Sequence, residues 1–374
     1  MGLAQSRRSP TDAMRDYTTL QVLWFVLIAV LWIGYFVLEG FDFGVGMLLR
    51  VLGRDAAERR ALIHTIGPVW DGNEVWLLVA GGATFAAFPE WYASLFSGFY
   101  IALFLVLFAL IVRGVAFEFR GKVDHPLWVS VWEWATTVGS FLAALLWGVA
   151  WANIVHGVPI DAHGNADGSL TQLLNPYAIL GGLVTVSLFL ALGSIFLTLR
   201  TKGELVERAS RLSVVLAPVA AAVTVAFLAW TLADRSHPTG AEIAASAVAV
   251  AAALGLGAFA LPGLRRNLAL GFALGTATIA TLFTSLFIDL FPHTMVSTTD
   301  RAYSLTLNAS ASSHYTLTVM TIVAVILLPV VLAYQAWTYW VFRHRIGPED
   351  FPVGSRNPID LLAPRGERDI PAEG

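Results

Sequence analysis

Apolar runs of roughly 20 or more residues recur from one end of this chain to the other, long enough as helices to cross a hydrocarbon core. Segments rich in proline, glycine and charge separate them, so each run predicts a membrane-crossing helix. They fall at about 20–49, 68–88, 91–118, 126–155, 172–199, 212–233, 241–261, 268–290 and 315–342. The expected fold class is therefore all-α, a polytopic membrane protein of about nine transmembrane helices. Composition agrees: 57% of the residues are hydrophobic and 13% charged, about half the charge of a soluble domain.

The first run is too long for the apolar part of a signal peptide, and no small-residue cleavage motif follows it before Arg50, so it is expected to be retained. The absence of cysteine excludes disulfides, thiolate metal sites and iron–sulfur clusters carried by this chain alone. A formal charge of −3 implies no nucleic-acid partner. The tail at 344–374, rich in proline and mixed charge, has no apolar period and reads as a solvated extension.

Basic residues mark one set of loops, because arginine and lysine are retained on the cytoplasmic side. Arg50, Arg54, Arg59 and Arg60 follow the first run, Arg120 and Lys122 the third, Arg200, Lys202, Arg208 and Arg211 the fifth, Arg265 and Arg266 the seventh, and Arg343 and Arg345 the ninth. The alternate loops hold only Arg235 and Arg301. This pattern puts the amino terminus outside and the carboxyl terminus inside, against the opposing vote of Arg7, Arg8 and Arg15 in the leading tail.

Ionisable side chains inside a bilayer are costly and default to a functional or a tightly paired structural role. Glu39 and Asp42 lie three apart on one face of the first helix, and Asp71 and Glu74 repeat that spacing at the start of the second. Arg113 and Glu118 sit near the cytoplasmic end of the third helix, and Glu133 about two turns into the fourth. The later helices offer nothing comparable except Asp289. A carboxylate-lined vestibule in the first four helices is one reading, with Asp71, Glu74, Asp42 and Glu39 as a proton path and Asn73 and Trp70 beside it. The other is that Arg113 pairs with two carboxylates and the cluster glues helices together.

All eight histidines, at positions 64, 125, 156, 163, 237, 293, 314 and 344, fall in loops or at expected helix ends. Haem in a helical bundle needs an axial ligand at its own depth, and the runs offer at best Met47 and Met320, which read as packing residues. The tryptophans Trp70, Trp76, Trp91, Trp128, Trp132 and Trp134 read as an interfacial aromatic belt. Gly81–Gly82 and Gly181–Gly182 read as close helix contacts.

The segments Leu38-Glu39-Gly40-Phe41-Asp42-Phe43-Gly44-Val45-Gly46 and Gly67-Pro68-Val69-Trp70-Asp71-Gly72-Asn73-Glu74-Val75-Trp76-Leu77 resemble the second subunit of the cytochrome bd quinol oxidases. The resemblance continues through Arg113-Gly114-Val115-Ala116-Phe117-Glu118-Phe119-Arg120, and returns in Leu317-Thr318-Val319-Met320-Thr321 and Tyr334-Gln335-Ala336-Trp337-Thr338-Tyr339-Trp340. It implies two four-helix bundles, at 20–156 and 172–290, with a peripheral ninth helix at 315–343, loops at 157–171 and 291–314, and a leading tail at 1–19.

It implies further a bacterial cytoplasmic membrane protein paired with a larger first subunit. That subunit would bind two b-type haems and one d-type haem, oxidise quinol and reduce oxygen to water. Small accessory subunits, lipid and quinone are the other implied partners. The family's acidic residues map onto Asp71 and Asp42. Two other classes remain open on the residues alone. A proton-coupled secondary transporter would use the same carboxylates, though transporters tend to carry polar breaks in both repeat halves. A purely structural membrane subunit would need none of them for transfer.

Overall fold

The computed structural model describes residues 17–166 and 168–351. Most of the expected leading tail and the end of the trailing one lie outside the described residues. Thr18 and Gln21 form a reciprocal capping box that starts α1 (Thr19–Leu52). At 34 residues this helix is about 51 Å long, well beyond a hydrocarbon core of roughly 30 Å, so it tilts or projects at its Arg50 end. Asp55 then caps α2 (Ala56–Ile66), a short charged helix inside what reads in the sequence as a basic loop.

The next two expected spans divide differently. α3 (Trp70–Ala87) begins two residues later than expected, leaving Pro68 outside the helix. The run expected at 91–118 is two helices, α4 (Pro89–Gly98) and α5 (Tyr100–Phe119), separated at Phe99. Beside this break the outer loop closes in, so that a Cβ on Gly98 would collide with Ala166. α6 (Pro126–His156) completes the first half.

After a loop and the single turn α7 (Leu170–Leu173) come α8 (Pro176–Arg200), α9 (Glu204–Asp234), α10 (Gly240–Ala258) and α11 (Leu268–Leu290). The following loop contains a small antiparallel pair, β1 (His293–Met295) and β2 (Leu305–Thr306), and the turn α12 (Leu307–Ser310). α13 (His314–Val341) ends the helical part. Eight of the described helices have the length and apolarity to cross a membrane, namely α1, α5, α6, α8, α9, α10, α11 and α13. The expected second crossing, α3, is not among these eight, because Asp71, Asn73 and Glu74 occupy its first two turns.

α1 is the hub, with α8, α3, α6 and α11 packed around it. Its crossing with α8 depends on paired glycines: a Cβ on Gly44 would run into the Phe189 carbonyl and one on Gly193 into the Gly44 backbone. Gly148 of α6 and Gly181 of α8 make a second crossing of this type. Without a strong hydrophobic drive between helices in lipid, such close backbone approach supplies the dispersion contact that holds them. Aromatic rings fill the space between these crossings, including Phe36 on Phe283 at 4.2 Å and Trp32 on Trp147 at 5.1 Å.

The basic loops meet at one end of the molecule. Arg54 lies 3.8 Å from Glu204, Arg208 pairs with Glu58, and Lys202 bonds Asp350 at 3.1 Å. Beyond α13 the chain runs back across this end, where Ile346 bridges Thr201 and Phe351 stacks on His64 at 4.5 Å. Burial, with Arg60 and Arg120 nearby, pushes the His64 pKa down to about 4.

Two outcomes follow from this packing. Gly44→Ala costs about 1–3 kcal/mol through forced helix separation and lowers the thermal midpoint of the purified protein, whereas Gly121→Ala, with open space around it, leaves it unchanged. For His64, the unfolded chain takes up the proton more readily than the folded one, so the contribution is full above the unfolded value of about 6.5. It is lost as pH falls from there toward about 4. The drop in thermal midpoint between about pH 7.5 and about pH 5 is therefore smaller in His64→Phe, which keeps a ring against Phe351.

Candidate functional site

The α1 register places Glu39 and Asp42 one turn apart, eleven and eight residues before Arg50, or about 16 and 12 Å along the helix. Both are fully buried. From α5, Arg113 reaches the same point, also with no exposed surface. Its Nη1 lies 3.2 Å from Glu39 Oε2 and 3.2 Å from Glu74 Oε2, so one nitrogen serves carboxylates of two other helices. Phe43 and Phe117 flank the guanidinium, at 4.9 and 5.2 Å from their ring centres, which favours a buried cation.

Asp42 is held differently. Asn73 Nδ2 donates to Asp42 Oδ2 at 2.7 Å, and the Asn73 carbonyl accepts from Tyr339 Oη at 2.7 Å and from Gln335 Nε2 at 3.3 Å. Gln335 in turn accepts from Trp76 Nε1 at 2.8 Å. A polar chain thus links α1, α3 and α13. Several atoms here keep unused capacity: Glu39 Oε1, Asp42 Oδ1, Arg113 Nε and Arg113 Nη2 are buried without a hydrogen-bond partner.

Glu74 is the partly exposed member of the cluster, with 24% of its side chain exposed. Asp71, one turn earlier on α3, is exposed and stands at the rim. Trp70 packs on Phe117 at 5.0 Å beside Gly114. Glu133 does not converge on Arg113. It is held in a second cluster by Arg50 at 3.1 Å, Arg59 at 2.8 Å and Arg120 at 2.7 Å. Glu118 is exposed and outside both groups, because it points away from the Arg113 face of α5.

Tyr339 and Gln335 belong to the site although only their resemblance to a family segment marked them in the sequence. An amide within an apolar run needs a partner in lipid, and Gln335 carried that signal. Its register against Asn73 is a property of packing.

A separate apolar cavity of ≈ 470 Å³ lies among α3, α4, α5 and α6, lined by Trp32, Phe85, Trp91, Tyr92, Trp147 and other apolar residues. No carboxylate lines it. Among the described residues no group of three or more His, Cys, Asp or Glu is arranged to hold a metal. The donor set does not fit a haem, since no histidine lies inside a spanning helix except at the terminal residues His156 and His314. Met47 is packed in the core and Met320 packs against it.

The family model for cytochrome bd terminal oxidase subunit II matches residues 20–342. The chain is 44% identical to the cytochrome bd ubiquinol oxidase subunit 2 of Bacillus subtilis (strain 168), with 89% of this chain and 98% of that one covered. It is 39% identical to the cytochrome bd-I ubiquinol oxidase subunit 2 of Escherichia coli (strain K12), covering 90% of this chain and 98% of that one. Its fold resembles a chain of the bd oxidase structure from Geobacillus thermodenitrificans, with a TM-score of 0.59 at 14% identity, covering 87% of this chain and 99% of the other.

Replacing Arg113 by methionine strands Glu39 and Glu74 without a cation, an effect on the order of 3–5 kcal/mol. Arg113→Met is expected to abolish recovery of folded protein from membranes, while Arg113→Lys, which keeps the charge but not the fork, gives a reduced yield and thermal midpoint.

Proposed function

The chain belongs to the cytochrome bd terminal oxidase subunit II family, and from that premise we propose that its carboxylate cluster delivers protons to a haem-bearing partner. It is the second subunit of a quinol oxidase complex. Subunit I carries the b-type and d-type haems, whose axial ligands this chain's donor set does not supply. The haems pass electrons from quinol to oxygen, and the protons consumed in making water enter from the cytoplasm. In this arrangement α3 crosses the membrane with the eight long apolar helices, giving two four-helix bundles and a peripheral ninth helix. The arginine-rich end faces the cytoplasm, as retention of basic loops requires.

The observation that carries the reading is the meeting of Glu39 from α1 and Glu74 from α3 at one buried guanidinium, with the buried Asp42 one turn along α1. Such a cluster has more carboxyls than cations, so it can load and release protons without creating an isolated charge. Asp71 takes a proton at the rim and Glu74 passes it to Glu39, while Arg113 stays protonated and holds the two carboxyls together. Asp42, one turn from Glu39 on α1, is the next carboxyl, and Asn73 orients it by donating to its Oδ2 while its own carbonyl accepts from Tyr339. Each carboxyl accepts at one oxygen and releases from the other, and water bridging neighbouring carboxyls completes the steps.

A structural reading has one observation in its favour, the sharing of Arg113 between Glu39 and Glu74, which ties α5 to α1 and α3. Asp71→Asn and Asp42→Asn separate the two readings, because neither carboxyl pairs directly with Arg113. The expected result is a complex with its full haem spectrum and quinol-dependent oxygen uptake lowered about tenfold or more, equivalent to about 1.4 kcal/mol of added barrier. Unchanged turnover in both variants would sink the proton path and leave the structural role.

A further inference from the structure

Three arginines converge on one carboxylate at the end where the basic loops meet. Glu133 is only 1% exposed, and Arg50 from α1, Arg59 from α2 and Arg120 from α5 all bond it. One anion against three permanent cations leaves an excess of two positive charges. Ser130 is a neutral partner of Arg50 at 3.2 Å, and Glu118 makes no ion pair with any of the three. The depressed pKa of His64, caused first by burial and then by Arg60 and Arg120, is a second sign of positive potential at this end.

The same helix that carries Glu133 presents an exposed apolar row that passes the cluster. Leu127, Val131, Trp134 and Val138 of α6 succeed each other at helical spacing and are all exposed. Arg50 joins the two features, for its guanidinium lies 4.9 Å from the Trp134 ring centre while its Nη1 bonds Glu133. Its side chain keeps 29% of its surface exposed, so part of the fork is turned outward.

We propose that Arg50, Arg59 and Arg120 with Ser130 form a headgroup site for an anionic phospholipid of the adjoining leaflet, whose acyl chain runs inward along Trp134 and Val138. The phosphodiester meets outward guanidinium donors that Glu133 does not use, and the forks suit phosphate oxygens. Glu133 fixes the three arginines in place, lowering the ordering cost of binding. A zwitterionic lipid would bring its own cation into the same field and bind less well. The site is independent of the Glu39–Arg113 cluster and of the proton path.

The test uses the whole complex, released for native mass spectrometry from micelles containing equal phosphatidylglycerol and phosphatidylcholine. The wild type retains phosphatidylglycerol preferentially. Arg50→Gln with Arg59→Gln lowers that preference about thirtyfold, at about 1 kcal/mol for each of the two guanidiniums near an anionic surface. Arg120 stays to pair Glu133 in this variant, so the buried carboxylate is not orphaned. Arg211→Gln, which removes one cation from an exposed pair with Glu207, leaves the preference intact. If the double variant does not assemble, Trp134→Ala replaces only a half-exposed ring and lowers the preference about threefold.

Equal loss in Arg211→Gln would mean a diffuse field rather than a site and would overturn the proposal. So would unchanged lipid retention in the double variant or, where that fails to assemble, in Trp134→Ala, the result expected if the partner subunit covers this face. Displacement of the bound lipid by millimolar inorganic phosphate, with no dependence on Trp134, would identify free phosphate as the occupant and overturn it as well.

Discussion

Arg113 is a permanent cation with no accessible surface, placed on a helix long and apolar enough to cross a membrane. Held alone in hydrocarbon, such a charge costs from about 3 to more than 10 kcal/mol, so the helices around it must bring compensation. α1 supplies Glu39 and α3 supplies Glu74, and the aromatic faces of Phe43 and Phe117 close the remaining sides. That requirement constrains how the three helices can be rotated against one another. It also explains why α3 can be polar in its first turns: its carboxylate is a partner to be buried against, not a charge facing lipid.

The two ionic clusters of the first half differ in sign. Around Arg113 there are more carboxyls than cations, which suits exchangeable protons. Around Glu133 there are three arginines and one carboxyl, which suits an anion. Both are anchored on α1, and the glycine crossings with α8 hold that helix against the second half. Packing by small residues and rings therefore positions the charges, and the charges need not supply the bulk of the helix association.

Much of the candidate site was legible beforehand because charge inside an apolar run is rare enough to be conspicuous. Glu39, Asp42, Glu74 and Arg113 stood out on that ground, and the structure brings them together. Glu133 stood out equally but belongs to the other cluster, since depth along a helix says nothing about which neighbour it faces. Tyr339 and Gln335 were harder to see, because their partner Asn73 lies on a helix far away in sequence. The short α2 and the break at Phe99 were missed for a related reason: hydropathy over a window of about 19 residues smooths over both.

Sequence by itself determined that the chain is membrane-embedded and helical, where its apolar runs lie, and that no cysteine or mid-span histidine is available to hold a redox centre. Those properties follow from composition and period, which act locally along the chain. Tertiary structure decided which carboxylates share Arg113, that Glu133 gathers three arginines, and that the last helix completes the polar chain through Asn73. These are choices of rotation and register between helices distant in sequence, and they are settled only when close packing and charge pairing are satisfied together.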